Sequence, residues 1–131
     1  MSRYSNGGTT AFSQTLSPVS LAPGQVWVLC NPGIDPAGSA SCSEFVGAIN
    51  HNGNDSYELA CGGQTQDIIG QIGFDPGLYW GSGATSTQNA TLRRKCTQLG
   101  GDTTGGDAFE PALEWEGYEV DDLSGLGRRG C

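Results

Sequence analysis

The chain has 131 residues, 22 of them glycine, with six basic against 14 acidic side chains and a formal net charge of −8. That length suits one domain with a core of its own. Recurring apolar clusters exclude a disordered chain, and the negative charge disfavours a stand-alone nucleic-acid binder.

In chain order, Thr9-Thr10-Ala11-Phe12-Ser13-Gln14-Thr15-Leu16 reads as a polar strand, and Leu21-Ala22-Pro23-Gly24 as a turn. Gln25-Val26-Trp27-Val28-Leu29-Cys30 is β-branched and aromatic, which predicts a core strand. Residues 31–41 hold two prolines and two glycines and predict a loop. Residues 43–49 predict a short helical turn or strand, followed by the turn cluster Asn50-His51-Asn52-Gly53-Asn54-Asp55. Ser56–Cys61 alternates, Gly62-Gly63 turns the chain, and residues 65–72 return, which is a hairpin signature. Ile68, Ile69 and Ile72 are expected in the core, with Phe74 at the strand end. Asp75-Pro76-Gly77 predicts a tight turn, with Tyr79 and Trp80 folding back over the core edge. Residues 75–88 form a long loop, Asn89–Cys96 another strand, and 97–111 a Gly/Asp/Thr loop. Ala112–Tyr118 is a short apolar–polar alternation, and Leu123 and Leu126 in the tail are placed to cap the core. No stretch longer than about ten residues carries a helical period, so the expected fold is an all-β antiparallel sandwich spanning residues 1–131 as one domain.

Candidate chemistry is sparse. A histidine base is available only at His51, inside a turn cluster, and neither G-x-S-x-G nor a P-loop is present. No catalytic role is expected. From Asp102 to Asp122 the chain carries eight acids and no base. A solvated acidic face is the plain reading; the sharper one is a calcium site using Asp102 and Asp107 among glycines and hydroxyls. Arg93, Arg94 and Lys95 form the basic cluster before the C-terminus and are the candidate nucleic-acid contacts, ranked last because of the overall charge. Asn54-Asp55-Ser56 and Asn89-Ala90-Thr91 match the N-glycosylation pattern. Trp27, Trp80 and Trp115 are read as core before they are read as a stacking platform.

The five cysteines contain no C-x-x-C pair, so disulfides in an oxidising compartment fit better than zinc. Several pairings are open. The expected ones are Cys30–Cys42, closing a short loop, and Cys61–Cys96, tying two strands. Cys131 is then a free thiol, an intermolecular link, or the partner of a cysteine beyond this chain. Residues 1–20 lack the apolar region of a signal peptide, and the apolar runs are too short to span a bilayer. Cysteine usage and this absence agree if the chain is a fragment or processed piece.

The segments DIIGQIGFDPGLYWGSGATSTQNATLRRKC, GDTTGGDAFEPALEWEGY and DDLSGLG resemble the lamin-tail-like domain of secreted bacterial nucleases, as do LAPGQVWVLCN and NHNGNDSYELACGG. Together they cover nearly all of residues 8–127. The resemblance implies an immunoglobulin-like β-sandwich in an exported, extracellular or cell-surface protein. It also implies a non-catalytic module beside a nuclease domain in the same precursor. The family usually begins with one or two further strands, which this chain lacks, and no nuclease motif is present. Missing first strands predict an open edge, so the alternative is a structural subunit that assembles with other copies by strand addition or disulfide linkage into a filament.

Overall fold

The computed structural model describes residues 1–128. It is β-rich, with short strands and single-turn helices. In the main sheet, β1 (Ser2–Tyr4), β2 (Ala11–Ser13), β5 (Ser56–Cys61) and β6 (Gln64–Ile69) stand in the order β2-β1-β5-β6, all antiparallel. Two small ribbons accompany it. One is parallel and pairs β3 (Leu29–Cys30) with β4 (Glu44–Phe45); the other is antiparallel and pairs β7 (Thr91–Arg94) with β8 (Trp115–Tyr118).

The hairpin β5–β6 lies where the alternation and Gly62-Gly63 put it. Its second strand is shorter than expected and ends at Ile69 rather than residue 72. Gly70 stops it: its φ is +90°, and a Cβ there would sit 2.7 Å from the Ser56 hydroxyl oxygen. Residues 1–4 were not expected to pair at all. They form β1, whose three residues are paired on both sides, so the chain's own start covers β5 over Ser56–Glu58.

The expected core strand 25–30 contracts to Leu29–Cys30, and Val26 and Trp27 are exposed. The turn at Ala22–Gln25 keeps that approach outside the ladder, and pairing begins only where the Val28 carbonyl accepts from Ser43 and Glu44. The loop 31–41 contains one helical turn, α1 (Pro36–Ser39), which begins at a proline and is capped by the Asp35 carboxylate accepting from the Ala37 N–H at 2.8 Å. A second such turn, α2 (Pro111–Glu114), runs straight into β8.

Strand alternation places Arg3, Tyr57, Leu59, Asp67 and Ile69 on one face of the main sheet. Both ribbons lie on that side. Tyr57 and Ile69 share one pocket with Leu92 and Trp115 of the β7–β8 ribbon, and another with Leu29 of the β3–β4 ribbon. On the other face, Ile68 is buried and the 97–111 loop covers it at Gly105, where there is no room for a Cβ against the Ile68 and Ile72 methyls. The buried apolar residues among those described include Cys30, Val46, Ala48, Ile68, Trp80 and Pro111. Accessible surface totals 7910 Å², against about 6,600 Å² for a typical folded monomer of this mass. Phe12, Phe45, Phe74 and Leu78 stay in solvent.

Candidate functional site

The predicted site residues separate into groups with different fates. Cys30 and Cys42 are bridged, with their Cα atoms 5.8 Å apart, across the loop that carries α1. The second expected bridge is not made: Cys61 is a free, exposed thiol, and Cys96 is disulfide-bonded without it. Cys61 stands at the tip of the β5–β6 hairpin, beside the Gly62-Gly63 turn. β7 is tied to the hairpin through its other strand, by an ion pair to β6. Cys131 lies outside the described residues.

That ion pair uses the basic cluster. Arg94 on β7 forms a two-pronged pair with Asp67 on β6 at 2.7 and 2.8 Å, and its guanidinium lies 4.6 Å from the centre of the Trp115 ring. Asp67 also accepts from the Asp102 N–H at 2.9 Å, which fixes the acidic loop to the sheet. Arg93 pairs with Asp122 at 2.8 Å, reaches the Ser124 hydroxyl at 3.0 Å and lies over the Tyr118 ring. Hydrogen bonds from Ser124 hold the Asp122 carboxyl below the usual range, with Arg93 adding to the effect. Lys95 donates to the carbonyls of Ala112 and Leu113, at 2.6 and 3.2 Å. All three cations are thus occupied within the fold.

Asp102 and Asp107 do not gather a ligand set. The Asp102 carboxylate accepts from the Thr104 N–H at 2.8 Å, closing a local turn, and Asp107 is exposed. Among the described residues, no three His, Cys, Asp or Glu side chains stand together as a metal cage. Of the two glycosylation patterns, Asn54 is buried and gives its side-chain N–H to the Gly77 carbonyl at 2.7 Å, whereas Asn89 is exposed.

A pocket of about 240 Å³ opens between the main sheet and the β7–β8 ribbon. Sequence reasoning missed it, because its walls come from β5, β6, β7, β8 and the two turns at residues 51–55 and 80–90. His51 and Tyr57 meet at its rim. The His51 Nδ1 is 2.8 Å from the Tyr57 hydroxyl, and the rings meet edge to face at 5.4 Å. That hydroxyl also accepts from the Asn50 N–H at 3.2 Å and is 3.3 Å from the Ala48 carbonyl. Burial pushes the Tyr57 hydroxyl up to about 12 and lowers His51, against the pull of Asp55. The pair is therefore neutral near pH 7, and Tyr57 is a poor nucleophile.

Trp80 forms the floor. It is 6% exposed, its ring stands edge-on to Phe109 at 5.8 Å, and its backbone N–H donates to the Thr87 hydroxyl at 3.0 Å. Thr87 in turn donates to the Gly53 carbonyl at 2.6 Å, so this hydroxyl ties the 80–90 turn to the 51–55 turn. The indole N–H groups of both Trp80 and Trp115 are buried and find no acceptor among the described residues. Compared with protein-family models, with curated proteins and with solved structures, the chain matches none.

Proposed function

We propose that the chain is a non-catalytic interaction module of an exported protein, of the lamin-tail-like kind, carried beside a nuclease domain in the same precursor. The observation that carries the non-catalytic part is the state of its sole histidine. His51 is held against a tyrosine hydroxyl pushed up to about 12, which is the reverse of nucleophile activation. The Cys30–Cys42 bridge supports an oxidising compartment. An immunoglobulin-like sandwich is the architecture we infer, supported by two ribbons on the same side of the main sheet and by the shared walls of the intervening pocket. Direct DNA binding ranks last, since Arg93, Arg94 and Lys95 already have partners.

Immunoblots of the secreted fraction from source cells, run beside DNA-containing activity gels, test the reading. Nuclease activity should co-migrate with a precursor band that reacts with antibody to this chain, while the purified chain leaves DNA intact. Cleavage of DNA by the purified chain would overturn the non-catalytic assignment.

The exposed apolar surface favours a second reading, a structural subunit of an extracellular assembly. Strand addition would use β2, whose residues are all exposed, Phe12 included. The outer edge of β6 is closed by the loop around Gly101, whose backbone lies against Gln66 and Asp67. A monodisperse monomer at high concentration in light scattering would sink the assembly reading; filaments or disulfide-linked ladders would sink the simple module.

A further inference from the structure

We propose that the outer edge of β2 pairs with the same edge of a second copy of this chain, in an antiparallel two-fold dimer that sets Phe12 opposite its counterpart. This rests on the assembly reading and narrows it to one partner and one register.

The ladder fixes which groups the edge offers. The Met1 amino group donates to the Gln14 carbonyl at 3.0 Å, and the Gln14 N–H donates back to the Met1 carbonyl at 2.9 Å. Bonded and non-bonded pairs alternate along an antiparallel ladder. Phe12 therefore turns its backbone groups toward Arg3, while Ala11 and Ser13 turn theirs outward. No described strand lies beyond them, and all three residues of β2 are exposed. After β2 the chain leaves toward the β3–β4 ribbon, where the Ser17 N–H donates to the Glu44 carboxylate at 3.1 Å.

Charge and symmetry say what covers the edge. Folded proteins guard an edge strand with a lysine, a proline or a bulge. β2 carries none of these, and from Tyr4 to Ile34 the chain has no charged residue. Two copies of net charge −8 repel over most of their surfaces, and this uncharged stretch is where they approach at least cost. The edge is also complementary to itself. With Phe12 on the two-fold axis, Ala11 of each copy faces Ser13 of the other, and every outward N–H and C=O of β2 meets a partner. An axis one residue to either side would pair β2 with residues outside the strand. Phe12 is 56% exposed and stands on the Arg3 face, with the guanidinium 6.0 Å from its ring centre. Opposite its copy it would lie in a non-bonded pair, where side chains come closest. The loop around Gly101 closes the β6 edge, so the pairing ends at a dimer rather than growing into a filament.

A residue that meets itself across an axis allows a specific test. Sedimentation velocity is run on the chain capped with iodoacetamide, so that the free Cys61 thiol cannot link copies. A reversible monomer–dimer equilibrium should appear as concentration rises, with no larger species. Phe12→Lys and Phe12→Glu should each weaken the dimer at least about tenfold, by losing the ring pair and setting like charges face to face. An equal mixture of the two variants should restore it, because lysine then faces glutamate. Ser13→Pro removes only an outward N–H and should also weaken the dimer, with the circular dichroism of the parent chain retained. A monomer up to millimolar concentration overturns the proposal together with the assembly reading. Open-ended filaments, or a dimer that Phe12→Lys leaves unchanged, overturn the two-fold edge pairing while the assembly reading stands. A mixture of the Lys and Glu variants that stays monomeric overturns the register.

Discussion

Arg94 shows how much a single side chain can hold. It bridges β7 to β6 through Asp67, and Asp67 in turn anchors the Asp102 N–H. Both partners keep under a third of their side-chain surface in solvent, so the pair is screened less than an exposed one. Arg94→Met should destabilise by about 2–3 kcal/mol in urea unfolding, because it leaves the Asp67 carboxylate half-buried and uncompensated. A cost below about 0.5 kcal/mol would place the pair among the weak surface ion pairs. Cysteine chemistry gives another residue-scale test. Cys61 should react with iodoacetamide in the folded, unreduced protein, and the non-reduced digest should contain a Cys30–Cys42 peptide. A Cys61–Cys96 peptide would refute the assignment of Cys61 as free.

The charge state of two side chains gives the fold its expected acid response. Hydrogen bonds from Thr65 and Tyr4 hold Glu58 below the usual glutamate range. As pH falls, the unfolded chain therefore takes up that proton first. The stability is whole above the ordinary glutamate value and is lost as pH drops through the lowered folded value. His51 is also lowered, mainly by burial, so its loss begins earlier, below the ordinary histidine value. Urea midpoints followed from about pH 8 down to about pH 3 should fall in two steps. His51→Asn should remove the upper step, and Glu58→Gln should flatten the lower.

Elements here are short, and close backbone approaches fix their placement. β8 passes so near the 3-10 turn Gly83–Thr85 that a Cβ at Gly117 would overlap the Ala84 carbonyl oxygen. The obstacle is main chain, which cannot swing aside as a side chain can. Gly117→Ala should cost about 2 kcal/mol or more and lower the thermal midpoint, whereas Gly106→Ala, with open space around it, should be nearly silent. The Cys30–Cys42 bridge acts on a loop in the same way, by limiting what the unfolded chain can do. With its ends 12 positions apart in sequence, its removal through Cys30→Ala/Cys42→Ala should cost about 3 kcal/mol. Calorimetry of the double variant reads that loss directly, and an unchanged midpoint would show that the α1 loop is held by its other contacts.

At the scale of the whole molecule, the excess surface is the dominant feature. Short elements and abundant glycine leave few buried apolar side chains, and large ones such as Phe12, Phe45 and Leu78 remain outside. Burying an exposed phenylalanine is worth roughly 1.5–3 kcal/mol, so association is a natural route to further stability. No described helix is long and apolar enough to cross a membrane.

Local chemistry determined the β5–β6 hairpin, β7, the Cys30–Cys42 bridge and the Asp75 turn, in which the Gly77 N–H donates to the Asp75 carboxylate. Each rests on residues no more than about a dozen positions apart, whose φ preferences, alternation or spacing suffice to specify it. The fate of Phe74 was not legible in the same way. It shares one glycine-broken stretch with Trp80, which is buried against Phe109 as expected, yet Phe74 is exposed. Tertiary structure alone decided that difference, and also that β1 would stand at the centre of the sheet. It decided that Arg93, Arg94 and Lys95 would face partners 17 to 31 residues away rather than solvent. The pocket belongs to this second class, since its walls converge from four strands and two turns. Spacing along a sequence carries no record of which distant segments close on one another, because that choice depends on the joint burial of many side chains.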